Sequence, residues 1–216
     1  MIKSILHVVG VAALVFMIGC GDDNGVGPDN GGGNGSFTDS RDGQKYRTVT
    51  IGGKTWMAEN LNYIDSSWSH NGYSGIVPFG MRGSWCHNNE PDSCAKYGRL
   101  YTWDAAMVAC PAGWSLPTRQ NWDNLVNAVG PNPGTKLKAG SLWDGTDNFD
   151  FSALPGGVRY LDTDFGAVGI IGVWWTATEA STTEAWAYSL LSGDAHVFNG
   201  VNNKPYHGFS VRCVKN

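Results

Sequence analysis

Apolar residues in the middle of the chain recur with the period of a helix. Four of them fall at i, i+3, i+4 and i+7, which places them on one helical face: Trp122, Leu125, Val126 and Val129. Thr118 precedes them as a candidate N-cap, and Gly130 and the proline after it end the helix. Asn121 stands where a capping box would have Glu or Gln, so we expect only a partial cap. A second, shorter helix is predicted over 102–109.

Other segments follow the pattern of β-strands. Residues 46–61 form two runs rich in β-formers around Gly52 and Gly53, which predicts a hairpin. Three short runs in the C-terminal third, 185–192, 195–200 and 208–215, are also predicted strands. The last run alternates apolar and polar residues: Phe209, Val211 and Cys213 against Ser210 and Arg212.

Two long segments, 64–84 and 142–179, show no clear period. They are longer than usual connections between secondary-structure elements. Long loops that must still be ordered are frequent locations of function. We therefore expect contacts with a ligand to come from the 64–84 loop and from residues 140–170.

The N-terminus has the features of an export signal. Lys3 precedes an apolar run from Ile5 to Ile18, which is shorter than the about 20 residues of a membrane span. The run ends in MIGC, which resembles the lipobox of bacterial lipoproteins. This pattern predicts a signal peptide over 1–19 and lipidation of Cys20; the alternative is an ordinary secretion signal with a chance cysteine.

Residues 20–36 are mostly Gly, Asn and Asp, and they predict a flexible linker ahead of one domain over 37–216. The acidic pair Asp22 and Asp23 resembles export signals for the outer face of the outer membrane. We therefore expect a lipid-anchored protein of the outer membrane, at the cell surface, with the membrane as one partner. The net charge of −4 is not typical of a nucleic-acid-binding protein.

Four of the five cysteines remain when Cys20 is set aside. An even number in an exported chain indicates two disulfides, with three possible pairings. We favour Cys86–Cys94, which closes a short loop, and Cys110–Cys213, which joins the middle of the domain to its end. The rival hypothesis, a zinc site that includes His87, has an uncommon ligand spacing.

Six motifs occur in the order seen in the Fibrobacter succinogenes major paralogous domain family, which the chain resembles over residues 37–216: KTWMAENLNY, CHNNEPDSCAKYGRLYTWDAAM, CPAGWSLPTRQNW, FSALPGGVR, GVWWTATE and GFSVRCVK. The resemblance implies a secreted or lipid-anchored bacterial surface protein. It also implies an α+β, C-type lectin-like fold with small antiparallel sheets, two helices, long loops and disulfides.

Enzymatic chemistry has little support in the sequence. No HExxH or G-x-S-x-G motif is present. The LPTRQNW segment is similar to one in formylglycine-generating enzymes, but those use a pair of cysteines near the C-terminus, where this chain has only Cys213. Carboxylates for a hydrolase would come from Asp144, Asp147, Asp150 or Glu179. In a loop this rich in Asp, solvated or turn-forming roles are the better hypothesis.

Two ligand hypotheses follow from the loops. Asp144, Asp147 and Asp150, with Asn148, offer hard oxygen ligands for Ca²⁺, although the spacing is not that of an EF-hand. No other cofactor is expected. Four aromatic residues in polar loops are candidates for stacking on sugar rings: Trp68, Tyr73, Trp85 and Trp143. The alternative is that these rings fix the loops to the body of the domain.

The sequence therefore predicts a non-enzymatic surface module for binding or adhesion, with polysaccharide as the expected ligand. A structural protein that binds other surface proteins is the alternative, and a hydrolase that uses loop carboxylates is the least favoured hypothesis.

Overall fold

Thirteen short β-strands and four α-helices alternate along the described part of the chain. The structure is a computed structural model, and it describes residues 34–73, 77–78, 80–160, 164–204 and 207–216. The predicted signal peptide, Cys20 and most of the predicted linker lie outside the described residues.

The strands and helices have the following bounds. The strands are β1 Gly35–Thr38, β2 Lys45–Ile51, β3 Lys54–Met57, β4 Ser84–Trp85, β5 Leu100–Tyr101, β6 Trp114–Ser115, β7 Val158–Tyr160, β8 Phe165–Gly166, β9 Ile171–Ser181, β10 Glu184–Leu191, β11 Phe198–Asn203, β12 His207–Ser210 and β13 Val214–Lys215. The helices are α1 Pro91–Tyr97, α2 Trp103–Ala109, α3 Arg119–Val129 and α4 Pro133–Leu137, and a 3-10 turn spans His87–Asn89.

The strands form two sheets. The smaller sheet has the order β1-β2-β3-β13-β6, and the larger one has the order β11-β10-β9-β12-β5-β4. The β7–β8 hairpin pairs with β12 beside the larger sheet. The described strand pairs are antiparallel apart from β9 and β12, which meet in parallel at Trp174 and Ser210. This confirms the predicted α+β class with small, mainly antiparallel sheets.

The predicted hairpin is confirmed as β2 and β3, joined by the turn at Gly52 and Gly53. Gly52 has a φ of +61°, and a Cβ there would lie 2.8 Å from the carbonyl oxygen of Asn124 in α3. Glycine is therefore needed at this turn both for its conformation and for the close approach of the helix.

Helix α3 confirms the predicted apolar face, but its cap is stronger than expected. The backbone N–H of Thr118 donates to Asn121 Oδ1 at 2.9 Å, and the Asn121 N–H donates back to Thr118 Oγ1 at 3.2 Å. The prediction of a partial cap is wrong, because the shorter amide side chain of Asn121 completes the capping box that Glu or Gln usually closes.

Helices pack on both faces of the larger sheet. Trp174 and Tyr188 pack toward α3, where the ring of Trp122 stacks on that of Tyr188 with centroids 5.1 Å apart. On the other face, Trp175 and Phe209 pack with each other and with the alanines of α2. The domain thus has helices on both sides of a central sheet, each side with its own aromatic cluster.

Several elements differ from the sequence expectations. Strand β9 lies in the 142–179 segment that was expected to be a loop; its residues 172–176 are all buried, so no alternation marks them. The short helices α1 and α4 were not predicted, and β1 begins at Gly35, inside the predicted linker. The predicted strand over 195–200 is displaced to β11.

Both favoured disulfides are confirmed. Cys86 and Cys94 are joined with their Cα atoms 4.8 Å apart, and Cys110 and Cys213 with theirs 5.9 Å apart. The zinc hypothesis is wrong, since neither Cys86 nor Cys94 keeps a thiolate for a metal. The second disulfide ties the end of α2 to the segment between β12 and β13.

A fully buried arginine, Arg212, lies one residue from this second disulfide. Its guanidinium donates to Asn60 Oδ1 at 3.1 Å, to the carbonyl of Ser152 at 3.2 Å and to the carbonyl of Phe151. Burial lowers the pKa of Arg212 to about 9, which leaves it charged at neutral pH. One side chain therefore links the β3 end of the small sheet, the 140–153 segment and the C-terminal strands.

Among the described residues, no helix is both long and apolar enough to cross a membrane.

Removal of the long-range disulfide is expected to destabilise the domain more than removal of the short one. The sequence separation is 103 for Cys110–Cys213 and 8 for Cys86–Cys94. In the chain-entropy model, closing a loop of about 100 residues adds about 4.7 kcal/mol of stability, and closing a loop of about 15 residues or fewer adds about 3 kcal/mol or less. Urea unfolding of Cys110→Ala/Cys213→Ala and of Cys86→Ala/Cys94→Ala measures the loss of unfolding free energy in each case. A larger loss for the second variant would contradict this ranking.

The Arg212→Met variant is expected to lose about 3 kcal/mol of unfolding free energy, because two buried carbonyls lose their donors. Arg47→Met is the matched control: it breaks an exposed ion pair with Glu59 at 2.8 Å, worth at most about 1 kcal/mol. Urea unfolding compares the two. Unchanged or increased stability of Arg212→Met would show that the desolvation cost of the guanidinium outweighs its hydrogen bonds.

Candidate binding groove

A groove of about 280 Å³ opens on one face of the larger sheet. Strands β7, β9, β10, β11 and β12 line it. We call it the sheet groove. Its apolar floor and its rim come from different strands.

Apolar side chains form the floor of the sheet groove. Val173 of β9, Ala187 of β10 and Phe209 of β12 line it, and each is less than 10% exposed. They share one sheet face because Val173 is in register with Ser189, and Trp175 with Ala187. The ring of Phe209 rests on Trp175 at a centroid distance of 4.3 Å, so the floor is continuous with the core.

Two exposed aromatic rings stand at the rim. Tyr160 of β7 is 44% exposed and Phe198 of β11 is 41% exposed. The two rings stand on opposite sides of the sheet groove, since β11 is the edge strand and β7 lies beyond β12. An edge strand has no neighbour to cover its side chains, which keeps this end of the groove open.

Polar groups occur between the apolar surfaces: Ser189, Asn199, Asn202 and His207. Asn202 Nδ2 donates to the carbonyl of Gly200 at 3.2 Å, which fixes its amide along β11. The His207 ring stacks on Phe209 at 5.2 Å and lies edge-on to Tyr160 at 6.1 Å. An apolar floor with a few placed hydrogen-bonding groups is the usual composition of a small-molecule site.

The sheet groove is electrically neutral at pH 7. The described residues that line it include no Asp, Glu, Lys or Arg. Desolvation lowers the pKa of His207, and the carbonyl of Asn203, 3.2 Å from Nδ1, offsets this only in part. The imidazole is therefore neutral, with one ring nitrogen as donor and the other as acceptor.

Three of the four predicted stacking residues are buried, so that part of the prediction is corrected. Trp68 is 7%, Trp85 1% and Trp143 5% exposed. The indole of Trp85 donates to the carbonyl of Tyr73 at 2.8 Å, and that of Trp143 to Ser192 Oγ at 2.9 Å. A buried indole presents no face to a sugar, and these rings instead fix the long loops to the domain.

Tyr73 is the predicted stacking residue that reaches solvent. It is 47% exposed, and its ring lies edge-on to His70 with centroids 5.2 Å apart. It does not line the sheet groove. The four predicted residues therefore do not form one exposed aromatic surface.

The three carboxylates predicted as calcium ligands have separate partners. Asp144 pairs with Lys138 Nζ at 2.6 Å, whose hydrogen bond holds the pKa of that carboxyl below its usual value. Asp147 accepts from Ser152 Oγ at 2.6 Å, and Asp150 from Asn34 Nδ2 at 2.8 Å. No group of three or more potential metal-ligating residues occurs within the described ranges.

The residues of the sheet groove were not singled out from the sequence. Phe198 lies in a run assigned to a strand, but the sequence does not say that the strand is an edge. The one available signal is that β11 is rich in Asn and Gly and poor in apolar residues, which is typical of an exposed edge strand.

The fold and the groove define a disulfide-bonded α+β domain with one open sheet face. A family model described as the Fibrobacter succinogenes major domain matches residues 49–215. This match spans most of the chain, so the protein belongs to that family. No significant match occurs among curated proteins or among solved structures. The C-type lectin-like relation of the fold stays a prediction.

His207 is expected to titrate below the usual histidine pKa of about 6.5, because the desolvated ring disfavours its charged form. The folded pKa is lowered, so the contribution of His207 to stability is complete above about 6.5 and is lost as the pH falls through the folded pKa. NMR titration of the assigned His207 ring signals measures it. A midpoint at or above that of a free histidine would contradict the buried environment.

Proposed function

We propose that the protein is a non-enzymatic binding module and that the sheet groove holds an uncharged sugar unit of a polysaccharide. The observation that carries this proposal is the pair of exposed rings, Tyr160 and Phe198, on either side of an apolar floor. Sugar rings combine apolar faces with hydroxyl edges, and the groove offers surfaces for both.

The hydroxyl groups of a sugar have partners in the groove. Asn202 and Ser189 supply donors and acceptors, and the neutral His207, whose Nδ1–H donates to the carbonyl of Asn203, offers Nε2 as an acceptor. With a volume of about 280 Å³, the groove is at the lower end of the size of ligand sites. It therefore suits one unit of a longer chain that continues across the open edge.

The carboxylates considered for a hydrolase have structural contacts instead. Asp147 accepts hydrogen bonds from the N–H and the hydroxyl of Ser152, and Glu179 pairs with Lys204 Nζ at 2.8 Å. Neither lines the sheet groove. These contacts favour binding over catalysis as the role of the domain.

The proposal includes attachment to the outer membrane at the cell surface. Lipidation at Cys20 and the Gly-rich linker would hold the domain close to a membrane while letting it turn toward a ligand. The support is the sequence of the N-terminus. Radiolabelled fatty-acid incorporation into the full chain, lost in Cys20→Ala, is the corresponding test.

The Gly200→Phe variant is the sharpest test of the groove. A Cβ at Gly200 would meet no atom within 4 Å, and the residue does not have a positive φ. The ring would enter the groove without strain, so stability should change by less than about 0.5 kcal/mol. Binding to a polysaccharide panel, measured by pull-down and titration calorimetry, should fall at least tenfold.

Val201→Phe is the matched control. Val201 is the next residue of the same edge strand, is 42% exposed and faces away from the groove. The Val201→Phe variant should therefore bind polysaccharide as tightly as the unaltered protein does. Equal binding by Gly200→Phe and the unaltered protein would overturn the groove as the site, and failure of the unaltered protein to bind any polysaccharide would overturn the function.

A further inference from the structure

A second cavity, of about 300 Å³, lies away from the sheet groove, between the start of the 64–84 loop and the Cys86–Cys94 disulfide. Its walls include Ile64, Asn71, Trp85, Cys86 and Asn89, and Arg99 supplies its charge. We call it the Arg99 cavity. It shares no lining residue with the sheet groove.

The guanidinium of Arg99 is poorly satisfied. Nη1 donates to Ser84 Oγ at 3.4 Å, which is a long hydrogen bond, and Nε is buried with no hydrogen-bond partner in the part of the chain that the structure describes. Within the described residues, no carboxylate lies within 4 Å of it. An arginine has five N–H donors, so donors remain available to a ligand in the cavity.

Three other arginines of the fold have acceptors for their guanidinium groups. Arg41 pairs with Asp39 at 2.7 Å and Arg47 with Glu59 at 2.8 Å. The fully buried Arg212 has no carboxylate, but an amide oxygen and two carbonyls accept its donors. The partly buried Arg99 departs from this pattern, and leaving such donors unpaired is unfavourable for the folded domain.

Desolvation lowers the pKa of Arg99, with only a weak opposing effect from Tyr101. The cavity therefore contains an arginine that lacks a counter-ion and faces space large enough for a small molecule. A carboxylate matches the planar fork of a guanidinium with two parallel hydrogen bonds. The exposed Asn89 at the same cavity adds a neutral amide for a hydroxyl group.

We propose that the Arg99 cavity binds the carboxylate of a small organic acid, with an acidic sugar unit as the source. The volume exceeds what a carboxylate alone would fill, and the exposed Ile64 supplies apolar wall for the body of the acid. Asn71 is a fixed part of the wall, because its Oδ1 already accepts from the N–H and the hydroxyl of Ser84. This site does not depend on the sheet groove being a sugar site.

The test measures the binding of D-glucuronate, D-glucose and acetate to the purified protein by Trp fluorescence and titration calorimetry at low salt. Glucuronate should bind, and glucose, which lacks the carboxylate, should bind at least about tenfold more weakly. Raising the ionic strength should weaken glucuronate binding, because the contact is between opposite charges.

Two variants separate binding from folding. Arg99→Gln should lower the affinity for glucuronate at least about tenfold while the midpoint of thermal unfolding stays the same or rises, because it removes an unsatisfied partly buried charge. Arg99→Lys keeps the charge without the planar fork, so its affinity for glucuronate should lie between those of the unaltered protein and of Arg99→Gln. A residue with a purely structural role would lower the unfolding midpoint when changed to Gln.

The outcomes are distinct. Acetate binding as tightly as glucuronate would support the carboxylate site and exclude the sugar as its source. Undetectable binding of both acids by the unaltered protein, or equal glucuronate affinity in Arg99→Gln, would overturn the proposal.

Discussion

The buried guanidinium of Arg212 is the interaction on which the rest of the domain depends. It connects three parts of the chain that are far apart in sequence, through Asn60, the carbonyls of Phe151 and Ser152, and its own place beside Cys213. Asn60 extends the connection, because its Oδ1 also accepts from the Trp174 indole at 2.8 Å and its Nδ2 donates to the carbonyl of Tyr97 at 2.9 Å. A charge without a carboxylate partner is tolerated here because hydrogen bonds from backbone and amide oxygens replace its water.

This constraint explains why the 140–153 segment is held against the body of the domain. The 140–153 segment is held by Arg212 on one side and by Lys138, which is 1% exposed, on the other. The indoles of Trp85 and Trp143 fix the loops in which they lie. These two indoles are therefore part of the core, and the open surface is the part of the larger sheet that helix α2 leaves uncovered on its own side.

Local patterns in the sequence predicted local structure well. Helix α3, the Gly52–Gly53 hairpin and both disulfides were predicted, since periodicity, turn residues and an even number of remaining cysteines indicate them. Strand β9 was not, because a strand that is buried on both faces shows no alternation. The sheet groove was also missed, since it depends on which strand becomes the edge, and this is decided by contacts between residues far apart in the chain. The predicted role of Trp68, Trp85 and Trp143 failed for the same reason: exposure is a tertiary property.

Native-state hydrogen exchange tests most directly whether the 139–153 segment belongs to the cooperative core. The amides of Ala139 and Ala153, which donate to the carbonyls of Ala153 and Leu137 at 3.0 and 2.9 Å, are the reporters. If Arg212 joins this segment to the sheets, these amides should open with a free energy within about 1 kcal/mol of that of the β9–β10 amides. Exchange of these two amides through a local opening several kcal/mol below that of the sheet would contradict the account.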